Sequence, residues 1–277
     1  MARRLTVLAG SGALVPQVVD AARALGDKVQ VLALTPRPDI AGVKVAAADI
    51  RNPVALLWSL KTFRTTHVVM AGAISISDKV REELSKFAGK NGVETNLASA
   101  GDAEMSGLAR AVKKVTGAEL IAVQDIAPDL VAGAGLLAGP EPSPEGWQSA
   151  RFALEAARKI GRLDLGQAVV AAGLRLIAAE DIAGTDDLLA RVARYRAEGL
   201  AGDGGGVLVL AKAAKPQQPL FLDLPAIGAG TIANAAAAGI RVIAIEAGRT
   251  LLLERAELVA AANDGGISVL GLAAGDG

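Results

Sequence analysis

The chain has 277 residues, 52% of them apolar, which is enough for one large or two ordinary domains with a sizeable core and too apolar for disorder. Lys plus Arg balances Asp plus Glu at 29 each, so no excess charge invites a polyanion such as DNA. With no Cys and one His, disulfides, thiolate metal sites, a Cys nucleophile and His-cluster zinc centres are excluded. A bound metal would take oxygen ligands, which favours Mg²⁺ or Mn²⁺.

Short apolar runs alternate with helix-like stretches from the start. Arg4–Leu8 reads as a strand, Val15–Leu25 as a helix and Val29–Leu34 as a strand. Pro53–Thr62 is helical, His67–Ala71 a strand, Asp78–Phe87 a helix, Asp102–Thr116 a helix and Glu119–Val123 a strand. Strands that are apolar throughout and alternate with helices predict a parallel sheet covered on both faces. The first turn follows a strand-length segment ending in glycine rather than a secretory leader, and no run of about 18 apolar residues lacks a charge, so a soluble cytoplasmic protein is expected.

Gly133–Gly146 holds four Gly and three Pro and reads as a linker. The expected organisation is a Rossmann-like N-terminal domain over 1–132, this linker over 133–146, and a C-terminal α/β domain over 147–277, with a cleft between the two where a small molecule would sit. In the second half, Trp147–Ile160 reads as a helix, Ala168–Ala172 and Arg175–Glu180 as strands joined at Gly173, and Asp187–Glu198 as a helix. Val207–Ala211, Leu220–Leu224, Val242–Glu246 and Ile267–Leu272 read as strands, with helices over Gly230–Ala238 and Arg255–Asn263. Trp58, Trp147 and Tyr195 fall in helices as core or interface residues, and His67 heads a strand in a structural role.

Several loops at strand ends could carry chemistry. Gly10-Ser11-Gly12 in the first βα turn lets backbone approach a ligand ahead of a helix N-terminus, although the third Gly of a dinucleotide fingerprint is replaced by Val15. Asp102 opens a helix after Gly101, as a cap or a ligand. Gly184-Thr185-Asp186-Asp187 precedes another helix, with Thr185 or Asp186 suited to the N-cap. Asp223, in an apolar run just before Pro225, is expensive to bury unless it is paired or meets a cation, and Lys212 and Lys215 stand upstream. Glu246-Ala247-Gly248-Arg249-Thr250 ends a strand with a carboxylate and a guanidinium, as an ion pair or a phosphate clamp.

These motifs carry a resemblance. Gly161-Arg162-Leu163-Asp164-Leu165-Gly166-Gln167, Gly184-Thr185-Asp186, Lys212 to Gly228 with Asp223-Leu224-Pro225-Ala226-Ile227-Gly228, and Glu246-Ala247-Gly248-Arg249-Thr250-Leu251 follow the order and spacing of one family. Together with Leu8 to Leu14, Ala71-Gly72 and Gly101-Asp102, the chain resembles, over nearly its whole length, the LpxI-type UDP-2,3-diacylglucosamine pyrophosphatases of lipid A synthesis.

The resemblance implies two α/β domains and Mg²⁺-dependent cleavage of a lipid-nucleotide diphosphate to UMP and 2,3-diacylglucosamine 1-phosphate. It also implies peripheral contact with the cytoplasmic membrane face and a homodimer. The family's key Asp falls on Asp223, which is expected to hold Mg²⁺ or orient the attacking water, with Asp186 and Asp102 as candidate second ligands. Gly10, Ser11, Ala71, Gly72, Asp102, Thr185 and Asp186 match ligand-contacting loops and Lys212 a basic position of the motif. Gln124 and Arg249 are expected as further substrate contacts, Arg249 with Lys212 clamping phosphate oxygens. The pattern is broken where Ala73 to Ser77 follow Ala71-Gly72, at Ala183 in place of a Glu, at Phe221 in place of an Arg, and at Gln124 in place of an acid. These departures favour an alternative, a paralogue that binds a UDP-sugar lipid or its product without turnover. A nicotinamide-dependent oxidoreductase is suggested only by Gly10-x-Gly12, and Thr35-Pro36 stands where that class carries an acid.

Overall fold

The computed structural model describes residues 2–74, 86, 89, 110, 112–163, 165–202, 206–215 and 224–273, and the structure below is that of these residues. Asp102, Phe221, Asp223 and Ser75 to Ser77 lie outside them, as do the strand Leu220–Leu224 except for Leu224, nearly all of the helix over 78–87 and the first part of the helix over 102–116. The chain forms two compact units, the first built from residues up to Pro128 and the second from Asp129 onward.

In the first unit, β1 (Arg4–Ala9), β2 (Lys28–Ala33), β3 (Lys44–Ala47), β4 (His67–Ala71) and β5 (Glu119–Leu120) form a wholly parallel sheet in the order β3-β2-β1-β4-β5. Helix α1 (Leu14–Ala24) buries Val15, Val18, Val19 and Ala22, a three-to-four spacing that makes one apolar stripe. Helix α2 (Pro53–Phe63) starts where the Asn52 side chain accepts the Ala55 N–H and stops at Arg64, whose φ is 55°. Leu32, Leu60, Val68 and Ala118 make a core cluster on the α2 side. The sequence pattern did not reveal β3: it is a four-residue edge strand with little burial to impose alternation. Strand β5 is two residues rather than five, because the chain turns into a 3-10 segment at Val123–Asp125, closed by Asp125 accepting the Ala122 N–H.

The second unit follows as β6 (Gly135–Ala138), α3 (Pro144–Arg162), β7 (Ala168–Ala172), β8 (Arg175–Ala179), α4 (Gly184–Ala197), β9 (Leu208–Lys212), β10 (Ala226–Ile227), α5 (Ala229–Ala237), β11 (Val242–Glu246), β12 (Leu251–Leu252), α6 (Arg255–Gly265) and β13 (Ser268–Leu272). Six strands make a mixed sheet, β6-β13-β11-β9-β7-β8, and β10 pairs with β12 separately. Alternation along β11 sends Ile243 and Ile245 to one face with α4, α5 and α6, and Val242 and Ala244 to the other with α3. Ala150, Ala153 and Ala157 keep α3 close to the sheet. The Gly133–Gly146 segment, read as a linker, carries strand β6 on β13 and the start of α3, with Ser143 capping at the Gly146 N–H. A backbone pairing on a Gly-containing strand leaves no apolar period to detect.

Candidate functional site

In open α/β sheets ligands gather at the carboxyl ends of strands, beside the point where strand order reverses. In the first unit that point lies between β1 and β4, and the loops leaving those strands are locked together. The Gly10 N–H donates to Ala71 O at 2.9 Å, the Ser11 N–H to Ala73 O at 3.0 Å, and the Ala73 N–H back to Ser11 O at 2.9 Å. A Cβ on Gly10 would sit 2.2 Å from Ala73 O, and one on Gly72, whose φ is +83°, would sit 2.4 Å from Ser11 O. These glycines admit the neighbouring loop, a nearer cause than the ligand approach expected of Gly10. Gln124 lies just beyond β5, and its Oε1 is buried without a hydrogen bond. The structure thus brings Gly10, Ser11, Ala71 and Gly72 together at one sheet edge.

Arg37 completes this edge, and sequence reasoning missed it because Pro36-Arg37-Pro38 carries no period or motif. Its Nη1 donates to Gly10 O and Gly12 O at 3.0 Å each, and its Nη2 to Gly12 O at 3.0 Å and Asp39 at 2.5 Å. The residue is 9% exposed, so the guanidinium is a staple beneath the loop. His67, at the opposite end of β4, bonds Thr66 as a structural residue would. Trp58, expected as a core or interface residue, is not core: it is 72% exposed on α2.

In the second unit β8, β9 and β11 end at the same sheet edge, since β7 is antiparallel to both β8 and β9 while β9 and β11 are parallel. Thr185, Asp186, Lys212 and Arg249 all follow or end these strands. Lys212 is buried and its Nζ donates to Ala226 O at 3.3 Å. Thr185 and Asp186 do not cap α4, which starts at Gly184 with Ala183 at the N-cap and no side-chain cap. Thr185 Oγ1 donates instead to Glu180 at 2.7 Å, whose other oxygen accepts the Gln167 N–H at 2.8 Å, and Asp186 accepts from Asn234 at 2.9 Å. Glu180 shares a signal that the sequence reading applied to Asp223 and Glu246 but not to it: a carboxylate closing an apolar strand.

The ion pair anticipated between Glu246 and Arg249 is present but long, without a hydrogen bond. Glu246 takes Arg158 Nε at 3.0 Å and the Ala214 N–H at 3.2 Å, while Arg249 Nε stands off at 4.0 Å. That Nε is buried with no hydrogen-bond acceptor, and so is the Thr250 hydroxyl beside it. Buried donors without an acceptor are rare in folded proteins and are met by water, an ion or a ligand group. Among the described residues no three His, Cys, Asp or Glu side chains gather as metal ligands. The carboxyls held below their usual range are Asp49 by its bonds to Arg51, Glu119 by Lys113, Glu145 by its own backbone N–H and Ser143, and Glu155 by Lys159. None of them is a candidate site residue.

Strand order and strand-end loops define a two-unit α/β protein with a Rossmann-type first sheet, of the class that presents polar groups and backbone amides to a ligand at carboxyl strand ends. The chain belongs to the LpxI family: the LpxI N-terminal domain matches residues 4–130 and the LpxI C-terminal domain residues 133–270. It is 34% identical over 281 aligned residues to the UDP-2,3-diacylglucosamine pyrophosphatase LpxI of Caulobacter vibrioides, covering 98% of each chain. A crystal structure of a Burkholderia pseudomallei protein overlaps 64% of this chain and 84% of its own at 17% identity and a TM-score of 0.27, too distant to carry an argument.

Proposed function

We propose that this protein hydrolyses the diphosphate of UDP-2,3-diacylglucosamine, releasing UMP and 2,3-diacylglucosamine 1-phosphate in lipid A synthesis. The observation that carries this is family membership across both units, with a curated pyrophosphatase matched over 98% of its length. Nothing in that similarity favours the non-hydrolysing alternative. Water attacks one phosphorus, the bridging P–O bond breaks, and negative charge gathers on the non-bridging and leaving oxygens. Cations and amides aimed at those oxygens do most of the catalytic work.

Arg249 suits the part of phosphate clamp because its Nε donates no hydrogen bond and its ion pair with Glu246 is long, at 4.0 Å, and buried Lys212 adds a second positive charge at the same edge. Gly10, Ser11, Ala71 and Gly72, with Gln124, contact the remainder of the substrate, as do Thr185, Asp186 and Asp102. Asp223 orients the attacking water. The described residues do not themselves supply a three-ligand metal set. Mg²⁺ commonly binds through one or two carboxylates plus substrate phosphates, so Asp223 and Asp186 would hold it, and it would neutralise charge on the diphosphate. Peripheral contact with the cytoplasmic membrane face and a homodimer complete the reading. Among the described residues no helix is long and apolar enough to cross a membrane.

The test is UMP release from UDP-2,3-diacylglucosamine with Mg²⁺, with EDTA, and in Asp223→Ala. The wild type should turn over only with the metal, and Asp223→Ala should lose at least about a hundredfold in kcat. Near-wild-type turnover by Asp223→Ala refutes the role given to Asp223. Ligand-induced stabilisation of the wild type without UMP release establishes the binding protein instead.

A further inference from the structure

Glu246 closes β11 at 4% exposure and faces two guanidiniums, only one of which it bonds directly. Arg158, from α3, donates its Nε to Oε1 at 3.0 Å, and the Ala214 N–H occupies Oε2 at 3.2 Å. Arg249 Nε remains 4.0 Å from Oε2 without a hydrogen-bond acceptor, and its side chain keeps 34% exposure. Two cations around one carboxylate leave this strand end net positive. A carboxylate buried this deeply must be neutralised by something. Arg158 does so through a hydrogen-bonded ion pair, and the consequence is that Arg249 need not form one.

We propose that Arg158 is a positioning residue: by hydrogen-bonding Glu246 it leaves Arg249 in a long ion pair without a hydrogen bond, so that this guanidinium stays available to the phosphate oxygens of a nucleoside diphosphate. The inference rests on the reading of Arg249 as a phosphate ligand. Without Arg158, Arg249 is the cation already paired with Glu246, and that long ion pair would tighten to a hydrogen-bonded one. The pair that then forms is neutral, and the positive charge that would have met phosphate is spent inside the protein.

The experiment uses the full chain and two readouts, calorimetric affinity for UDP and the split of KM from kcat with UDP-2,3-diacylglucosamine. Arg158→Met should weaken UDP binding and raise KM by about tenfold to a hundredfold, the range of one charge-assisted hydrogen bond, with kcat changed less. Arg158→Lys keeps the charge and should stay within about threefold of wild type. Adding Glu246→Gln to Arg158→Met removes the carboxylate on which Arg249 would collapse, so UDP affinity should recover.

A merely structural Arg158 predicts the reverse, because the double variant loses a second buried interaction and should bind worse than the single. Unchanged affinity in Arg158→Met, or a double variant no better than the single, overturns the proposal. If Arg158→Met does not fold, Glu246→Gln alone decides: equal or tighter UDP binding supports the proposal, and weaker binding refutes it. UDP binding without UMP release by the wild type would sink the hydrolase reading and leave this one standing. Wild-type affinity no better than that of Arg249→Ala would sink this inference together with the clamp role of Arg249, and leave the hydrolase reading standing.

Discussion

Glu180 shows what a strand-end carboxylate does when its partners are all protein. It is 8% exposed, and its two oxygens accept the Gln167 N–H and the Thr185 hydroxyl. Glu180→Ala strands both donors and should lower unfolding free energy by about 1–3 kcal/mol, the usual cost of a buried donor left unmade, read by urea denaturation. Thr185→Val removes one donor and should cost about 1 kcal/mol. Equal losses for the two variants would mean that Glu180 acts only through Thr185. Gly72 is constrained differently, by a left-handed φ and by Ser11 O where a Cβ would go. Gly72→Ala should therefore destabilise the first unit by roughly 1–3 kcal/mol, while Ala at Gly12, which has φ +97° but nothing near its Cβ position, should cost less.

At the scale of elements, α3 can be interrogated through its cap. Ser143→Ala removes the acceptor of the Gly146 N–H and should cost about 1 kcal/mol. Glu145 is held below the usual carboxylate range by its own backbone N–H and then by Ser143, so its pKa should rise in the variant, as an NMR titration would show. Because the folded-state value is the lowered one, the contribution of Glu145 is present above the ordinary carboxylate range and lost as pH falls through the folded value. The wild-type advantage should accordingly shrink in acid. The long elements were legible because burial wrote a period into them: Val15, Val18, Val19 and Ala22 on α1, or the unbroken apolar run of β11. Strands β3, β6, β10 and β12 are two to four residues long and leave no period. Of the candidate site, residues lying on motifs were legible, whereas Arg37 and Arg158 act by reaching across to loops distant in sequence, which no local pattern encodes.

For the whole molecule the rival to a lipid-nucleotide hydrolase is a nicotinamide enzyme, since a parallel sheet ordered β3-β2-β1-β4-β5 is the one that dinucleotides use. The residues beyond β2 decide against it. A dinucleotide enzyme places there an acid for the ribose hydroxyls or an Arg for a 2′-phosphate. This chain places Arg37 there, but its guanidinium is already bonded to Gly10 O, Gly12 O and Asp39, and it is 9% exposed. A ligand that binds only the folded state stabilises it by mass action, about 2.7 kcal/mol at a hundred times its Kd. UDP-2,3-diacylglucosamine should therefore raise the unfolding midpoint by several degrees, whereas NADH and NADPH at millimolar concentration should leave it unmoved. A shift with NADPH that disappears in Arg37→Met would show that Arg37 can leave its loop to meet a phosphate, and would return the first unit to the dinucleotide class.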